Sequence, residues 1–382
     1  MSFVEPTMAP VGGDSPTPAQ TAATSDRGAS RRAAIEEAVL PPLVALMLAA
    51  VVGDVLILSF GQSPGAVYRL LLEGTWGNAY GFGQVLYKAT TLMFTGLAVA
   101  LGLRAGLFNI GAESQLAAGG FCAALVGLAL PTGIPALVCL PVYVLAAALG
   151  GGMVGAVPGV LKARFGAHEV IVTIMLNFIV LALLNYLTSA RLHVPDTLHT
   201  PEMGSGALPR ISDFARAFQG SAANATFLLA LLAALALSWF LFRTRRGFEL
   251  RAVGLQPRAA EYAGVNVASV TWRALAMSGA IAGIGGLNYV LGYKHYYEEG
   301  FATGAGFLGI AVALVGRSHP VGIVLAALLF ATLSQGGLAV NALVPKQMVD
   351  VLQAVVILAV ATSVPEVRRL LRAAPRVRSA DR

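Results

Sequence analysis

Carboxylate and carboxamide side chains that interrupt apolar segments are the residues whose types and spacing could do chemistry in this sequence. Six of them lie in or at the start of such segments: Asn109, Glu113, Gln115, Glu169, Asn177 and Asn185. Each is costly in hydrocarbon when unpaired, so each should face a neighbouring helix or a water-filled cavity. Their chemistry is reversible hydrogen bonding. A polar solute in a pathway and a partner on another helix are equally open alternatives for each of them.

Spacing groups these residues. Asn109, Glu113 and Gln115 cluster at the start of one apolar segment. Asn177 and Asn185 are eight residues apart, which places them on roughly one face of a helix. Glu113 and Glu169 are the first candidates for a functional role, because an ionisable residue within a membrane segment is a functional-site hypothesis by default.

Motifs that would support catalysis are missing. A P-loop needs a Gly-Lys-Ser/Thr step to hold phosphates, but the lysines follow Tyr, Leu, Tyr and Pro: Lys88, Lys162, Lys294 and Lys346. There is no Gly-x-Ser-x-Gly elbow in a strand-turn-helix setting and no His-Glu-x-x-His zinc helix. The two cysteines lie in apolar segments, and an isolated histidine pair lacks supporting carboxylates. We therefore expect no catalytic residue, no metal site and no cofactor in this chain.

Composition indicates what must position the polar residues. Hydrophobic residues make up 57% of the 382, charged residues only 12%, and the mean hydropathy is +0.73. A soluble domain carries about a quarter charged residues. The chain is therefore expected to be an all-α polytopic membrane protein. Its net charge of +7 resides in tails and loops between apolar segments, which favours a role in membrane topology over nucleic-acid binding.

Ten apolar segments predict about ten transmembrane helices. Their approximate limits are 38–60, 85–103, 110–130, 135–160, 169–188, 224–242, 268–292, 304–316, 319–340 and 347–363. The eighth is short for a full crossing. We divide the chain into a disordered tail at 1–35, a transmembrane domain at 36–365 and a basic tail at 366–382.

Basic residues predict the orientation. With ten crossings and a cytoplasmic amino terminus, most of the 26 Lys and Arg residues fall in the cytoplasm, as the positive-inside rule requires. Both termini are then cytoplasmic. The long segment 189–223 is external and could contact an extracytoplasmic partner, whereas the loop 243–267 is cytoplasmic.

A weak internal similarity suggests a repeat. Gly111–Gly127, GAESQLAAGGFCAALVG, is loosely echoed by Gly304–Gly316, GAGFLGIAVALVG. In the topology above, spans 3–5 start in the cytoplasm and spans 8–10 start outside. The two sets could form an inverted repeat of the kind that lets a pathway alternate between two faces. Chance similarity among Ala, Gly and Val is the equal alternative.

The loop 243–267 contains a predicted short helix. Pro257 suits the first helical position, where its missing amide costs nothing. Gly264 can end the helix in a left-handed cap. Arg258 and Glu261 are three apart and could pair on the exposed side, and Tyr262 offers a surface for insertion elsewhere. Either this helix contacts a partner or its arginines anchor the loop to the inner leaflet.

Four motifs together resemble a known family. They are RAGLFNIGAESQ from Arg104, HEVIVTIMLNFI from His168, GLQPRAAEYAGV from Gly254 and GFLGIAVALVG from Gly306. The chain resembles the permease subunit of bacterial ATP-binding cassette (ABC) importers for nucleosides and simple sugars, within the branched-chain amino acid and ribose permease superfamily. The second motif is more similar to nucleoside permeases. Ser114 and His168 depart from the family's usual Gly and Asn.

The resemblance implies partners and a location. It implies a second permease chain, two cytoplasmic ATPase subunits that bind ATP and Mg²⁺, and an extracytoplasmic binding protein or lipoprotein, all at a bacterial plasma membrane. This chain would transport without being an enzyme. The residues expected to engage the ATPase are Gly254, Pro257, Arg258, Glu261, Tyr262 and Gly264.

Three alternatives remain. A ribose or simple-sugar permease of the same class is scarcely excluded by the sequence. An ion-coupled secondary transporter would need charged residue pairs within its spans, and this chain has few. A membrane-embedded enzyme would need a catalytic constellation that the sequence lacks.

Overall fold

The computed structural model describes residue 44 and residues 47–345 and 347–359. Three features of the sequence analysis lie outside the described residues: the tail at 1–35, the start of the first apolar segment and the basic tail at 366–382. The described part is built from helices, and its β-structure is confined to two isolated bridges.

The helices follow the apolar segments and are numbered in chain order. They are α1 (Met47–Ser59), α2 (Pro64–Thr75), α3 (Ala79–Arg104), α4 (Ala112–Ala129), α5 (Ala136–Phe165), α6 (Glu169–Leu187), α7 (Ile211–Phe214), α8 (Thr226–Arg243), α9 (Arg245–Leu255), α10 (Pro257–Tyr262), α11 (Val267–Gly285), α12 (Leu287–Tyr289), α13 (Ala305–Val315), α14 (Pro320–Ala339) and α15 (Gln347–Ala359).

The structure confirms an all-α polytopic membrane protein, but it does not confirm ten crossings. Among the described residues, seven helices are long and apolar enough to span a membrane, or eight if the bent pair α1–α2 is one span. Each predicted segment overlaps a helix. However, α13 has 11 residues, and at 1.5 Å per residue it covers only about half of a ~30 Å hydrocarbon core.

Helix α3 lies at the centre of the bundle. Its second half contributes a run of fully buried residues, including Phe94 and Leu101. Helices α8, α11, α13 and α14 pack around it. A helix surrounded by others should be apolar on all sides, as the continuous apolar sequence of α3 is.

Small residues bring α5 and α11 together, because they let two helix backbones approach closely. A β-carbon placed on Gly155 would lie 3.0 Å from the Cα atom of Gly279. One placed on Gly283 would lie 3.0 Å from the Cα atom of Gly151. The two backbones therefore touch without intervening side chains, and larger residues would force the helices apart.

The amino-terminal helices α1 and α2 are bent by 110° relative to each other. Pro64 occupies the first turn of α2, where it is compatible with a helix start. Tyr68 donates a hydrogen bond to Asp54 Oδ1 at 2.8 Å. The acidic residue within the first apolar segment therefore faces another helix.

The segments of the suggested repeat become α4 and α13, and each follows a non-helical stretch. Their amino-terminal ends meet. A β-carbon on Gly306 would lie 2.5 Å from the amide nitrogen of Glu113. The inverted relationship between spans 3–5 and 8–10 itself stays a prediction.

Candidate functional site

A non-helical stretch, residues 107–110, lies within the helix bundle just before α4. Asn109 is fully buried there. It donates to Gln115 Oε1 at 2.8 Å and to Ser278 Oγ on α11 at 2.7 Å. Gln115 Nε2 donates back to Asn109 Oδ1 at 3.1 Å, and Ser278 donates to the Ala98 carbonyl at 2.5 Å. Asn109 thereby links α3, α4 and α11.

Helix α6 holds the same stretch from another side. Asn177 Nδ2 donates to the Ile110 carbonyl at 2.8 Å, and Asn177 Oδ1 accepts from the Ser114 amide at 3.1 Å. Non-helical backbone at membrane depth is tolerated only where protein groups or water satisfy it. Asn177 does so here from α6. We call the four buried side chains that hold this stretch in place, directly or through Asn109, the polar clamp: Asn109, Gln115, Asn177 and Ser278.

The polar clamp is nearly closed to solvent. Asn177 has an exposed fraction of 5%, and the other three side chains have 0%. Their donors and acceptors are engaged with the protein, so in this conformation the clamp makes interhelical contacts. No local pattern marks Ser278, because a serine among Gly and Ala on α11 gives no sign of its buried tertiary partner.

Glu113, in the first turn of α4, connects the clamp region to α13. Its Oε2 accepts a hydrogen bond from the Gly304 amide at 3.0 Å. Gly304 is the residue before α13 and has φ 79°, a left-handed conformation that favours glycine. The carboxylate is thus placed at the positive end of two helix dipoles, which offsets the cost of an acid in this apolar setting.

The remaining two candidates lie apart from the clamp. Glu169 begins α6, and its Oε2 pairs with Lys162 Nζ at 2.5 Å. This ion pair bridges the ends of α5 and α6. Asn185 is half-buried further along α6, and its side-chain amide makes no hydrogen bond within the described residues. Two aromatic residues of the same helix, Phe178 and Tyr186, have exposed fractions of 71% and 68%.

A second buried polar network was not anticipated from the sequence. Asn224, before α8, donates to Asn288 Oδ1 at 3.0 Å. Asn288 donates to the Tyr87 carbonyl and to Thr91 Oγ1, both at 2.9 Å. Asn288 lies just before the π-helical turn at 290–294, where the regular backbone bonding pattern changes. The network joins α3, α8 and this irregular part of the chain.

The loop 243–267 folds into α9 and α10. Thr244 caps α9 by accepting from the Gly247 amide at 3.0 Å. Pro257 is the first residue of α10, and Gly264 follows the helix with φ 83°, as the sequence predicts. The Val265 amide donates to the Ala260 carbonyl at 3.0 Å, closing the carboxyl end of this short helix.

Helix α10 is anchored on one side and exposed on the other. Ala260 is buried, whereas Tyr262 has an exposed fraction of 94%. The predicted Arg258–Glu261 ion pair is wrong, since the ion pairs of the described residues do not include it. Both side chains are exposed, where such a pair gains little over hydration and loses side-chain entropy.

The backbone of α9 touches the end of α3. A β-carbon on Gly254 would lie 2.9 Å from the Ala105 carbonyl carbon, and one on Gly106 would lie 3.1 Å from the Gly254 Cα atom. Gly106 has φ 71°. The contact lies one residue before the stretch that the polar clamp holds.

Arginines from separate elements gather at the same end of the bundle. The guanidinium groups of Arg104 and Arg251 lie 5.7 and 5.2 Å from the ring centre of Phe242. Arg104 Nε donates to the Ser318 carbonyl at 3.0 Å. His319 stacks on Phe242 at 5.5 Å, and burial together with Arg104 lowers its pKa. At this end of the bundle, these side-chain contacts therefore connect α3, α8 and α9 to the turn between α13 and α14.

The long segment 189–223 packs against α5 and against the residues that follow α11, away from the arginine end of the bundle. The Thr200 amide donates to the Tyr297 carbonyl at 2.9 Å, and the Met203 amide donates to the His295 carbonyl at 2.8 Å. Tyr143 on α5 donates to the Ser205 carbonyl at 2.9 Å. Backbone and side-chain bonds thus fix this segment to three parts of the bundle.

His295 occupies a constrained position under this segment. Its φ is 62°, and Nε2 lies 3.3 Å from Arg210 Nη2. Since arginine can only donate, Nε2 must accept and the ring is neutral. Burial first and the positive charge of Arg210 second lower the pKa of His295. The contact therefore depends on the uncharged imidazole.

Comparisons with known proteins place this architecture in a family. The family model described as "Branched-chain amino acid transport system / permease component" matches residues 81–361. The guanosine ABC transporter permease protein NupP of Bacillus subtilis is 39% identical over 85% of this chain and 93% of its own. The nucleoside ABC transporter permease protein NupB of Lactococcus lactis is 33% identical over 85% of this chain and 90% of its own.

A third relative has a different named solute. The glucose ABC transporter permease protein TsgB13 of Haloferax volcanii is 33% identical over 84% of this chain and 87% of its own. No solved structure matches the chain. The matched region contains all four motifs of the sequence analysis. The chain belongs to the family of permease components typified by branched-chain amino acid transport systems.

Proposed function

We propose that this chain is the membrane-spanning subunit of an ATP-driven importer and forms the pathway for nucleosides across a bacterial plasma membrane. The observation that carries the solute class is similarity, over 85% of the chain, to permeases named for guanosine and for nucleosides. ATP and Mg²⁺ bind to separate cytoplasmic ATPase subunits. The chain itself moves solute without changing it covalently.

Helix α10 is the part that engages the ATPase. It is short, its buried face is held by Ala260, and Tyr262 projects from it almost fully exposed. Aromatic side chains of this kind are favoured anchors in protein interfaces. Movement of α10 would pass through the Gly254 contact to the end of α3 and from there to the polar clamp. This continuous packing supports coupling more strongly than a role as a lipid anchor alone.

Orientation follows from this assignment. The end that carries Arg104, Arg251 and α10 faces the cytoplasm. The positive-inside rule favours the same side for the arginine-rich sequences at both ends of the chain. The segment 189–223 then faces outward, where it provides a surface for the extracytoplasmic binding protein or lipoprotein. Its fixed attachment to α5 and α11 would present that surface without a prior folding step.

The pathway lies along the exposed side of α6, between this chain and a second permease chain. Asn185 keeps an unused amide there, beside the exposed aromatic rings of Phe178 and Tyr186. An amide and aromatic faces suit the hydrogen-bonding edge and the flat ring of a nucleobase. Asn109, Gln115 and Asn177 would contribute only if the polar clamp opened during the transport cycle.

A simple sugar is the second candidate solute, favoured by the similarity to the glucose permease of Haloferax volcanii. Uptake into membrane vesicles that contain this chain with its co-encoded ATPase and binding protein separates the two. We expect ATP-dependent uptake of labelled guanosine or adenosine that excess glucose and ribose do not inhibit. Sugar uptake without nucleoside uptake would favour the second candidate. Nucleoside uptake that persists after removal of the ATPase would contradict ATP-driven import.

A further inference from the structure

A cavity of about 400 Å³ opens between the carboxyl end of α8, the first turns of α9 and the first half of α11. Polar and apolar side chains share its lining. Those that matter here are Phe240, Arg246, Glu249, Val270, Arg273 and Met277. Neither the polar clamp nor α10 contributes to it, so the cavity is separate from the features assigned to transport.

The mouth of the cavity carries unneutralised positive charge. Arg246 and Arg273 are both exposed, and neither has a carboxylate within ion-pair distance in the described part of the chain. Glu249 does not neutralise them, because it is paired with Arg245 at 3.0 Å. Two guanidinium groups on different helices can donate to the oxygens of one phosphate, which is the anion their geometry suits.

Much of the remaining lining is apolar. Met277 lies ten residues beyond the start of α11, about 15 Å along the helix axis. It has an exposed fraction of 37% and shares the cavity with Phe240 and Val270. Trp272 also lines the cavity, with the Arg273 guanidinium 5.5 Å from its ring centre. Tryptophan and arginine flanking an apolar surface are typical of the boundary between headgroups and hydrocarbon.

We propose that this cavity binds one anionic phospholipid, with its phosphate between Arg246 and Arg273 and an acyl chain along Val270 and Met277. The charge of the two arginines selects an anion, and the apolar lining selects an anion that carries an acyl chain. Free phosphate would use only the mouth. The assignment depends on the membrane-spanning fold alone and does not rest on the identity of the transported solute.

The test is native mass spectrometry of the purified full-length chain titrated with dioleoyl phosphatidylglycerol, dioleoyl phosphatidylcholine or inorganic phosphate. Arg246→Gln combined with Arg273→Gln removes the charges at the mouth. Arg164→Gln combined with Arg243→Gln is the matched control, since both are exposed arginines that do not line the cavity. Ala276→Phe fills the cavity without changing charge.

We expect one phosphatidylglycerol to be retained at least about tenfold more tightly than phosphatidylcholine, because phosphatidylcholine has no net charge and its choline cation is repelled by the two arginines. The double variant at the mouth and Ala276→Phe should each remove this preference, whereas the control pair should keep it. Equal retention of the two lipids, or unchanged preference in the mouth variant, overturns the proposal. Competition by inorganic phosphate, with Ala276→Phe still binding it, would assign the mouth to a soluble anion and overturn the lipid assignment.

Discussion

Gly254 on α9 packs directly against Arg104 at the end of α3, with no side chain between the two backbones. A β-carbon at position 254 would overlap the Arg104 carbonyl and lie 2.9 Å from the Ala105 carbonyl carbon. The exposed helix α10 follows on one side of this contact, and the polar clamp lies on the other. The loop that we propose to contact the ATPase and the buried part of the bundle are therefore joined by backbone atoms, which cannot move aside as a side chain can.

Gly254→Ala should weaken both folding and transport. The added methyl group meets fixed backbone atoms, and overpacking of this kind costs about 1–3 kcal/mol. We expect a lower midpoint of thermal unfolding and slower ATP-dependent uptake. Gly152→Ala is the control, because a β-carbon there finds its nearest neighbour at 3.4 Å, an ordinary contact. Equal behaviour of the two variants would show that the contact tolerates an added methyl group.

Tyr262→Asp should uncouple ATP hydrolysis from uptake while the chain still inserts into the membrane. Loss of an aromatic interface anchor costs about 2 kcal/mol or more, so we expect at least a tenfold fall in uptake at unchanged chain abundance. The measurement is substrate-stimulated ATPase activity and uptake in the same vesicles. Phe165→Asp changes another exposed aromatic residue and should leave coupling intact. Normal coupling in Tyr262→Asp would remove α10 from its proposed role.

Asn109→Leu should destabilise the bundle. It leaves the Ser278 hydroxyl and the Gln115 amide without their buried partner, at about 1–3 kcal/mol for each unsatisfied group. Thermal unfolding of the purified chain in lipid nanodiscs measures this loss. An unchanged midpoint would mean that water or another residue replaces the asparagine.

Asn185→Leu should leave stability nearly unchanged and should affect transport instead. Its side-chain amide makes no hydrogen bond within the described residues, so thermal unfolding should change by less than about 0.5 kcal/mol. If Asn185 contacts solute, the concentration of nucleoside giving half-maximal uptake should rise severalfold. Unchanged uptake would place the pathway on another surface.

Glu113→Ala should be more damaging than Glu113→Gln. Alanine leaves the Gly304 amide at the start of α13 unpaired, whereas glutamine keeps an oxygen acceptor there. We expect alanine to cost about 1–3 kcal/mol and glutamine clearly less. The midpoints of thermal unfolding of the two variants provide the comparison, and equal losses would indicate that negative charge rather than hydrogen bonding is the stabilising property.

Acidification should loosen the segment 189–223 through His295. Its pKa is lowered in the folded chain by burial and by Arg210, so the unfolded chain binds the proton more readily. The stabilisation is therefore complete above the ordinary histidine pKa of about 6.5 and is lost as the pH falls below it. Protease protection of this segment between pH 7.5 and pH 5 measures the effect.

His295→Asn is the matched variant for that measurement, because asparagine also tolerates a positive φ and does not titrate. The variant should lose most of the pH dependence. His319, whose pKa is lowered as well, lies with Arg104 at the other end of the bundle and should not affect protection of this segment. An equal pH dependence in the variant would exclude His295 as its source.

The sequence by itself determined the class of fold and most helix positions, because burial in hydrocarbon demands long apolar helices with internally satisfied backbone. It also determined the start of α10 at Pro257 and its end before Gly264, since both are set by local backbone preferences. The motifs around Arg104 and Gly254 further indicated the family.

Tertiary structure alone decided how the polar residues are used. Sequence spacing placed Asn177 and Asn185 on roughly one face, yet only Asn177 reaches the polar clamp, because its partner is the non-helical stretch before α4. Ser278 joins the clamp from a position far along the chain, and no local pattern marks it. The start of α13 likewise meets a distant residue, since the Gly304 amide donates to Glu113. Hydrogen bonds between distant segments depend on which helices come together, and periodicity within one helix carries no record of that.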